Sequence, residues 1–133
     1  MSKNLTPSKI SASEWEVMDV VWGKHPITAP EVFELLRKDQ AWSQKTVNTF
    51  LARLAEKEAL AVEKRYNMNF YSPLVSREES VARESRSFLS RFFQGATAEL
   101  LAHFCEQGDL SDTELAELER LIASQRSKRK RKK

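Results

Sequence analysis

Lys45, Thr46, Asn48, Thr49 and Arg53 put two cations, two small hydroxyls and an amide into one short stretch of chain. Such groups reach base edges and phosphate oxygens without steric bulk, which is the chemistry of reading a duplex from its major groove. The stretch W-S-Q-K-T-V-N-T-F-L-A-R-L that carries them has helical period. At about 100° per residue, Phe50, Leu51 and Leu54 fall within roughly 60° of Val47. Lys45, Thr49, Ala52 and Arg53 land on the far side, with Thr46 and Asn48 on the flanks. One side of this helix is made for a core and the other for a polar surface. Taken alone, the pattern also fits an ordinary amphipathic helix with a solvated face.

The elements before this helix are marked by their starts. Ser13-Glu14-Trp15-Glu16 reads as a capping box, after which Trp15, Met18 and Trp22 line one face as far as Gly23. Thr28-Ala29-Pro30-Glu31 is a second box, with Pro30 tolerated in the first turn and Val32, Leu35 and Leu36 forming the apolar stripe. Ile27 with Val32, and Trp42 with Val47, are spaced as hydrophobic staples around caps at Thr28 and Ser43. After the third helix come two short β-type runs, about Ala61 to Tyr66 and Phe70 to Ser72, turning on Asn67-Met68-Asn69. Three helices and a hairpin make a winged helix-turn-helix, in which the third helix enters the groove. Lys64 and Arg65 precede the wing tip, where they could meet a flanking phosphate or remain a solvent-exposed charge pair.

From Ser76 the character changes. Ser76-Arg77-Glu78-Glu79 and Ser111-Asp112-Thr113-Glu114 are further capping boxes. Between and after them, Val81, Phe88, Leu89, Phe92 and Phe93, then Leu100, Leu101 and Phe104, then Leu115, Leu118, Leu121 and Ile122, recur at helical spacing. Helices this rich in apolar groups and this few cannot easily close a core alone. They either fold back on the winged module or clasp a second copy, with Phe88, Leu89, Phe92, Leu115, Leu118 and Ile122 carrying the dimer. The expected organisation is mainly α with a small β wing: a winged helix-turn-helix over 1–75, a helical dimerisation region over 76–125 and a basic disordered tail over 126–133. Two reading helices related by a two-fold axis would fit a pseudo-palindrome.

Charge supports this division. Residues 1–75 hold ten Lys and Arg against nine acids, residues 76–125 five against ten, and residues 126–133 seven against none. The net +3 is therefore the property of a tail. Such a tail either stays solvated or adds non-specific attraction to phosphates.

Other classes find little support. The two histidines, His25 and His103, are far apart in sequence and lack a triad partner, so no catalytic residues are expected. One Cys and two His give no zinc or copper spacing, and three glycines make no phosphate loop, so neither a metal nor a cofactor is expected. Met1 to Pro7 lacks the apolar core of a signal peptide and no run of about 18 apolar residues occurs, which points to a cytoplasmic protein without membrane insertion. The lone Cys105 agrees.

The strings I-S-A-S-E-W-E-V-M-D-V-V-W, W-S-Q-K-T-V-N-T-F-L-A-R-L and F-Y-S-P-L-V resemble the BlaI/MecI penicillinase-repressor family over about Ile10 to Ile122. The resemblance implies a dimeric winged-helix repressor of a β-lactamase-type or related operon. It also implies a membrane-bound sensor metalloprotease as partner, and induction by cleavage in the helical half. Three departures stand out. Lys57 is followed by Glu58 where the family often has Gly, which predicts a longer or strained turn into the first wing strand. The bond matching the family's Asn-Phe cleavage site is His103-Phe104. The chain ends in Lys and Arg rather than the Cys-rich tail of the copper-responsive branch. The rival from another class is a winged domain that docks a protein and no longer reads DNA.

Overall fold

The computed structural model describes residues 9–131, so the reading of Met1 to Pro7 and the last two lysines lie outside the described residues. Its elements run α1 (Ala12–Gly23), β1 (Ile27–Thr28), α2 (Ala29–Leu36), α3 (Gln44–Glu56), β2 (Leu60–Arg65), β3 (Met68–Pro73), α4 (Arg77–Phe93), α5 (Thr97–Glu106) and α6 (Asp112–Arg131). The chain divides into two compact units, Met1–Glu84 and Ser85–Lys133.

In the first unit three helices pack over a three-stranded antiparallel sheet of order β1-β3-β2. Val17, Met18, Val21, Ile27, Val32, Val47, Leu51 and Leu54 are fully buried in its core. The strand β1, which sequence periodicity did not reveal, pairs Ile27 with Tyr71 and Thr28 with Phe70. Two residues are too few to show alternation; Ile27 and Thr28 are both buried. Leu35, expected in the apolar stripe of α2, is 53% exposed. Val32 and Leu36 take the core side, one turn apart, and Leu35 falls on the outer flank.

The caps show what starts each helix. The α1 box is Ser11 with Glu14 rather than Ser13 with Glu16. The sequence nests two Ser-x-x-Glu strings, and the earlier one wins because Glu14 has further partners inside the fold. Its carboxylate accepts from the Ser11 N–H at 2.9 Å and from the Lys57 ammonium at 2.5 Å. Thr28 and Glu31 make the reciprocal box expected at α2. The Thr28 N–H and hydroxyl, with Lys24 alongside, hold the Glu31 carboxyl below its ordinary range. Ser43 caps α3 through the Thr46 N–H. Ser111 and Glu114 exchange both bonds ahead of α6. Ser76 accepts from the Glu79 N–H at 3.0 Å ahead of α4.

The first unit runs past the expected boundary at 75 because the opening turns of α4 belong to it. Ser80 is buried, Arg77 pairs with Asp19 at 3.3 Å, and the Trp22 indole donates to the Val75 carbonyl at 2.9 Å. In the second unit no residue from Ser85 to Arg131 is buried. The expected disordered tail is helix as far as Arg131. Lys and Arg are good helix formers, and cations in a last turn complement the helix dipole. These two effects outweigh the like-charge repulsion on which the expectation of disorder rested.

Candidate nucleic-acid interface

α3 is held by one face. Val47, Leu51 and Leu54 are inaccessible to solvent, Phe50 is half-buried, and Trp42 meets Phe50 edge-on at 5.0 Å. Burying these groups, at about 1.5–3 kcal/mol for each large aliphatic side chain, leaves the helix no freedom to roll. Its opposite face is therefore presented by construction. Lys45, Asn48, Thr49, Ala52 and Arg53 are exposed and Thr46 is half-buried. Lys45, Thr49 and Arg53 follow one another at successive turns, so two cations bracket a hydroxyl. Ala52 between them adds no bulk.

Local bonds set what each side chain can offer. The Thr49 hydroxyl donates to the Lys45 carbonyl at 3.0 Å, so it turns its acceptor lone pairs and methyl outward. Thr46 is tied to the Ser43 hydroxyl at 3.1 Å. The Gln44 amide donates to Asn48 Oδ1 at 3.0 Å and to the Ala29 carbonyl at 3.3 Å. Gln44 thereby orients Asn48 and ties the start of α3 to the start of α2. It was not among the expected site residues, although its four-residue spacing from Asn48 was there to be read.

The far end of α3 is anchored by the chain departure at Glu58. The Glu58 N–H bonds to the Ala55 carbonyl and the Ala59 N–H to the Leu54 carbonyl, a Schellman ending. Glu58 takes φ of +66°, the left-handed conformation that a glycine adopts freely. The expected strain is located at this one residue, with no lengthening of the turn. Next to it, Lys57 reaches back to Glu14 and to the Lys9 carbonyl, 2.7 Å away. Burial works against charge on Glu14. The bonds from Lys57 and Ser11 outweigh it and hold the carboxyl below its ordinary range. The start of α1 and the end of the reading helix are thus joined by an ion pair whose acidic member is only 2% exposed.

The wing is β2 and β3, paired from Leu60↔Pro73 to Arg65↔Met68. The turn is therefore Tyr66-Asn67, both with positive φ (+51° and +62°), and not the Asn67-Met68-Asn69 expected. Left-handed backbone at both central positions is the type I′ form of a two-residue hairpin turn. Asn67 accepts it readily, whereas Tyr66 is an unusual occupant and stands 90% exposed at the tip. Asn69 lies in the strand opposite Lys64. Lys64 is exposed. Arg65 is engaged inside the wing, paired with Glu63 at 3.2 Å and lying over the Phe70 ring at 5.1 Å. A shallow cleft between α3 and the wing is lined by Thr28, Ala29, Asn48, Met68, Asn69 and Tyr71.

In the second unit, four of the six expected dimer residues are exposed, as is Leu121, which was not among them. Phe88, Phe92, Leu115 and Ile122 are exposed, and Leu89 and Leu118 are half-buried. Phe88 and Phe92 lie 5.0 Å apart on one side of α4. Leu101, Leu118, Leu121 and Ile122 line an open apolar groove between α5 and α6. His103 is exposed and Phe104 half-buried, both within α5. Cys105 is exposed, where its type favours a small buried residue. Among the described residues no helix is long and apolar enough to cross a membrane.

A reading helix fixed from behind, with a two-stranded wing beside it, defines a winged helix-turn-helix DNA-binding protein. The solved DNA-binding domain of the repressor BlaI is 38% identical, with a TM-score of 0.51 over 59% of this chain and 93% of that one. A sequence model described as penicillinase repressor matches residues 10–124, and the chain belongs to that family. The penicillinase repressor of Bacillus licheniformis is 34% identical over 122 residues, covering 92% of this chain and 95% of its relative. The methicillin resistance regulatory protein MecI of Mammaliicoccus sciuri is 31% identical over 114 residues, 86% and 93% of the two chains. The protein is a DNA-binding transcriptional repressor and not an enzyme.

Proposed function

We propose that this protein acts in the cytoplasm as a homodimer that represses a β-lactamase-type or related resistance operon by occupying a pseudo-palindromic operator. The observation that carries this is the outward face of α3. Lys45, Thr46, Asn48, Thr49 and Arg53 stand on a helix whose other side is locked by Val47, Leu51 and Leu54. Thr46, Asn48 and Thr49 read base edges; Lys45 and Arg53 take phosphates or guanine edges, and Lys64 and Arg65 meet flanking phosphate from the wing. A protein-docking face would show aromatic or aliphatic anchors at its centre, and this one has none.

The dimer forms through Phe88, Leu89, Phe92, Leu115, Leu118 and Ile122. A helical unit with no buried residue from Ser85 to Arg131 has its apolar surface unspent, and a second copy covers it. Release follows cleavage at or near His103-Phe104 by a membrane-bound sensor metalloprotease. Because that bond sits inside α5, the helix must unwind locally before a protease can take it in extended form. Gel shifts with the DNA upstream of the protein's own gene test the reading. Binding at least a hundredfold tighter than to random duplex of equal length supports it. Equal binding to both would return the winged unit to a protein-docking role.

A further inference from the structure

We infer that the last turns of α6 form a second DNA-binding surface, one that holds duplex phosphate without reading sequence. This rests on the DNA-binding reading above and adds to it a contact outside the winged unit. α6 stays helical through Arg131 and carries Arg126, Lys128, Arg129, Lys130 and Arg131 with no acid among them.

Helix geometry sorts these cations by side. Arg126 and Arg129 border the apolar groove with Leu118, Leu121 and Ile122, so they share the face that a second copy covers. At about 100° per residue, Arg131 projects away from the groove, with Lys128 and Lys130 on its two flanks. All three are exposed. From Ser124 onward the helix carries no apolar residue. An interfacial helix on a lipid surface needs an apolar face beside its cations, so this arrangement fits a polyanion and not a bilayer. Duplex DNA offers one phosphate charge per about 1.7 Å of axis, a density of anions that a cluster of cations on one helix end can meet. A duplex already held by the same protein also raises the local concentration of phosphate for this surface.

The test compares the full-length protein with Lys128→Gln/Lys130→Gln/Arg131→Gln, measuring binding to random duplex against salt. Each phosphate neutralised adds about 0.9 to the log–log slope, so the variant is expected to lose about 2 to 3 units per bound chain. Its preference for operator over random DNA should stay within threefold of the parent's. The swap Lys128→Arg/Lys130→Arg keeps the charge and should keep the slope. A slope unchanged in the triple variant overturns the inference, as does a slope lost equally in the arginine swap. Vesicles of phosphatidylserine and phosphatidylcholine serve as the rival anion. Binding to them that depends on the three residues, with an unaltered DNA slope, would assign the surface to membrane instead. Failure of the parent protein to prefer its operator would sink the proposed repressor reading and leave the slope comparison intact.

Discussion

Thr49 shows how a local bond narrows what a site residue can do. With its proton committed to the Lys45 carbonyl, the hydroxyl meets a base only as an acceptor, or through its methyl group. Thr49→Ala should weaken operator binding by about 1–3 kcal/mol while leaving the fold intact. Fluorescence anisotropy on operator and random duplexes checks this, and equal losses on both would remove Thr49 from base reading. Lys45→Ala, if the ammonium meets phosphate, should lower the log–log salt slope by about one unit; an unchanged slope would take it off the phosphate set. These residues were legible in the sequence because a polar stripe opposite an apolar one needs only the helical period to be seen. The tie from Gln44 to α2 and the place of Tyr66 were not. Gln44 acts through its bond to the Ala29 carbonyl, a tertiary contact that spacing does not encode. The place of Tyr66 follows from strand register, which was set one turn residue away from where asparagine preference pointed.

Among the elements, α3 depends most on its two ends. Ser43 fixes the beginning, and the Glu58 turn with the Lys57–Glu14 pair fixes the other. The capping string in front of α1 was visible in sequence, but two versions overlapped, and only the partner supplied from the end of α3 decides between them. Removing that partner leaves a buried carboxylate unpaired. Lys57→Met should therefore cost about 2–3 kcal/mol in urea unfolding and weaken operator binding together with stability. A loss under 0.5 kcal/mol would show the pair to be incidental. The lowered pKa of Glu14 gives a further signature. Above the ordinary value of 4.5 the carboxylate is charged in folded and unfolded chains alike, and its stabilising bonds are fully present. As pH falls through the lower folded value, the proton is taken up and that contribution disappears. The stability gap between the parent and Glu14→Gln, about 1–3 kcal/mol at pH 7, should shrink steadily below pH 4.5. A gap that stays constant down to pH 3 would contradict the charge on Glu14 as its source. Glu58→Gly should act in the opposite direction, relieving left-handed backbone and adding about 0.5–1 kcal/mol.

The whole molecule joins a finished unit to an unfinished one. The winged half buries a contiguous core from Ile10 to Tyr71, whereas the helical half has apolar side chains but no interior of its own. This asymmetry was legible from the density of Phe and Leu after residue 76. Its limits were not, because the opening turns of α4 are claimed by packing within the winged unit, and in the basic segment helix propensity and the helix dipole outweigh the like-charge repulsion that a charge run suggests. An unspent apolar surface on one half and a monomeric reading helix on the other are explained together if two copies join through Phe92, Ile122 and their neighbours. Sedimentation velocity at micromolar concentration, with duplex taken from upstream of the protein's own gene, tests that most directly. Two chains per duplex are expected for the parent, and Phe92→Asp/Ile122→Glu should sediment as single chains with the thermal transition of the winged unit retained. Single chains of the parent protein, both free and on DNA, would contradict the account.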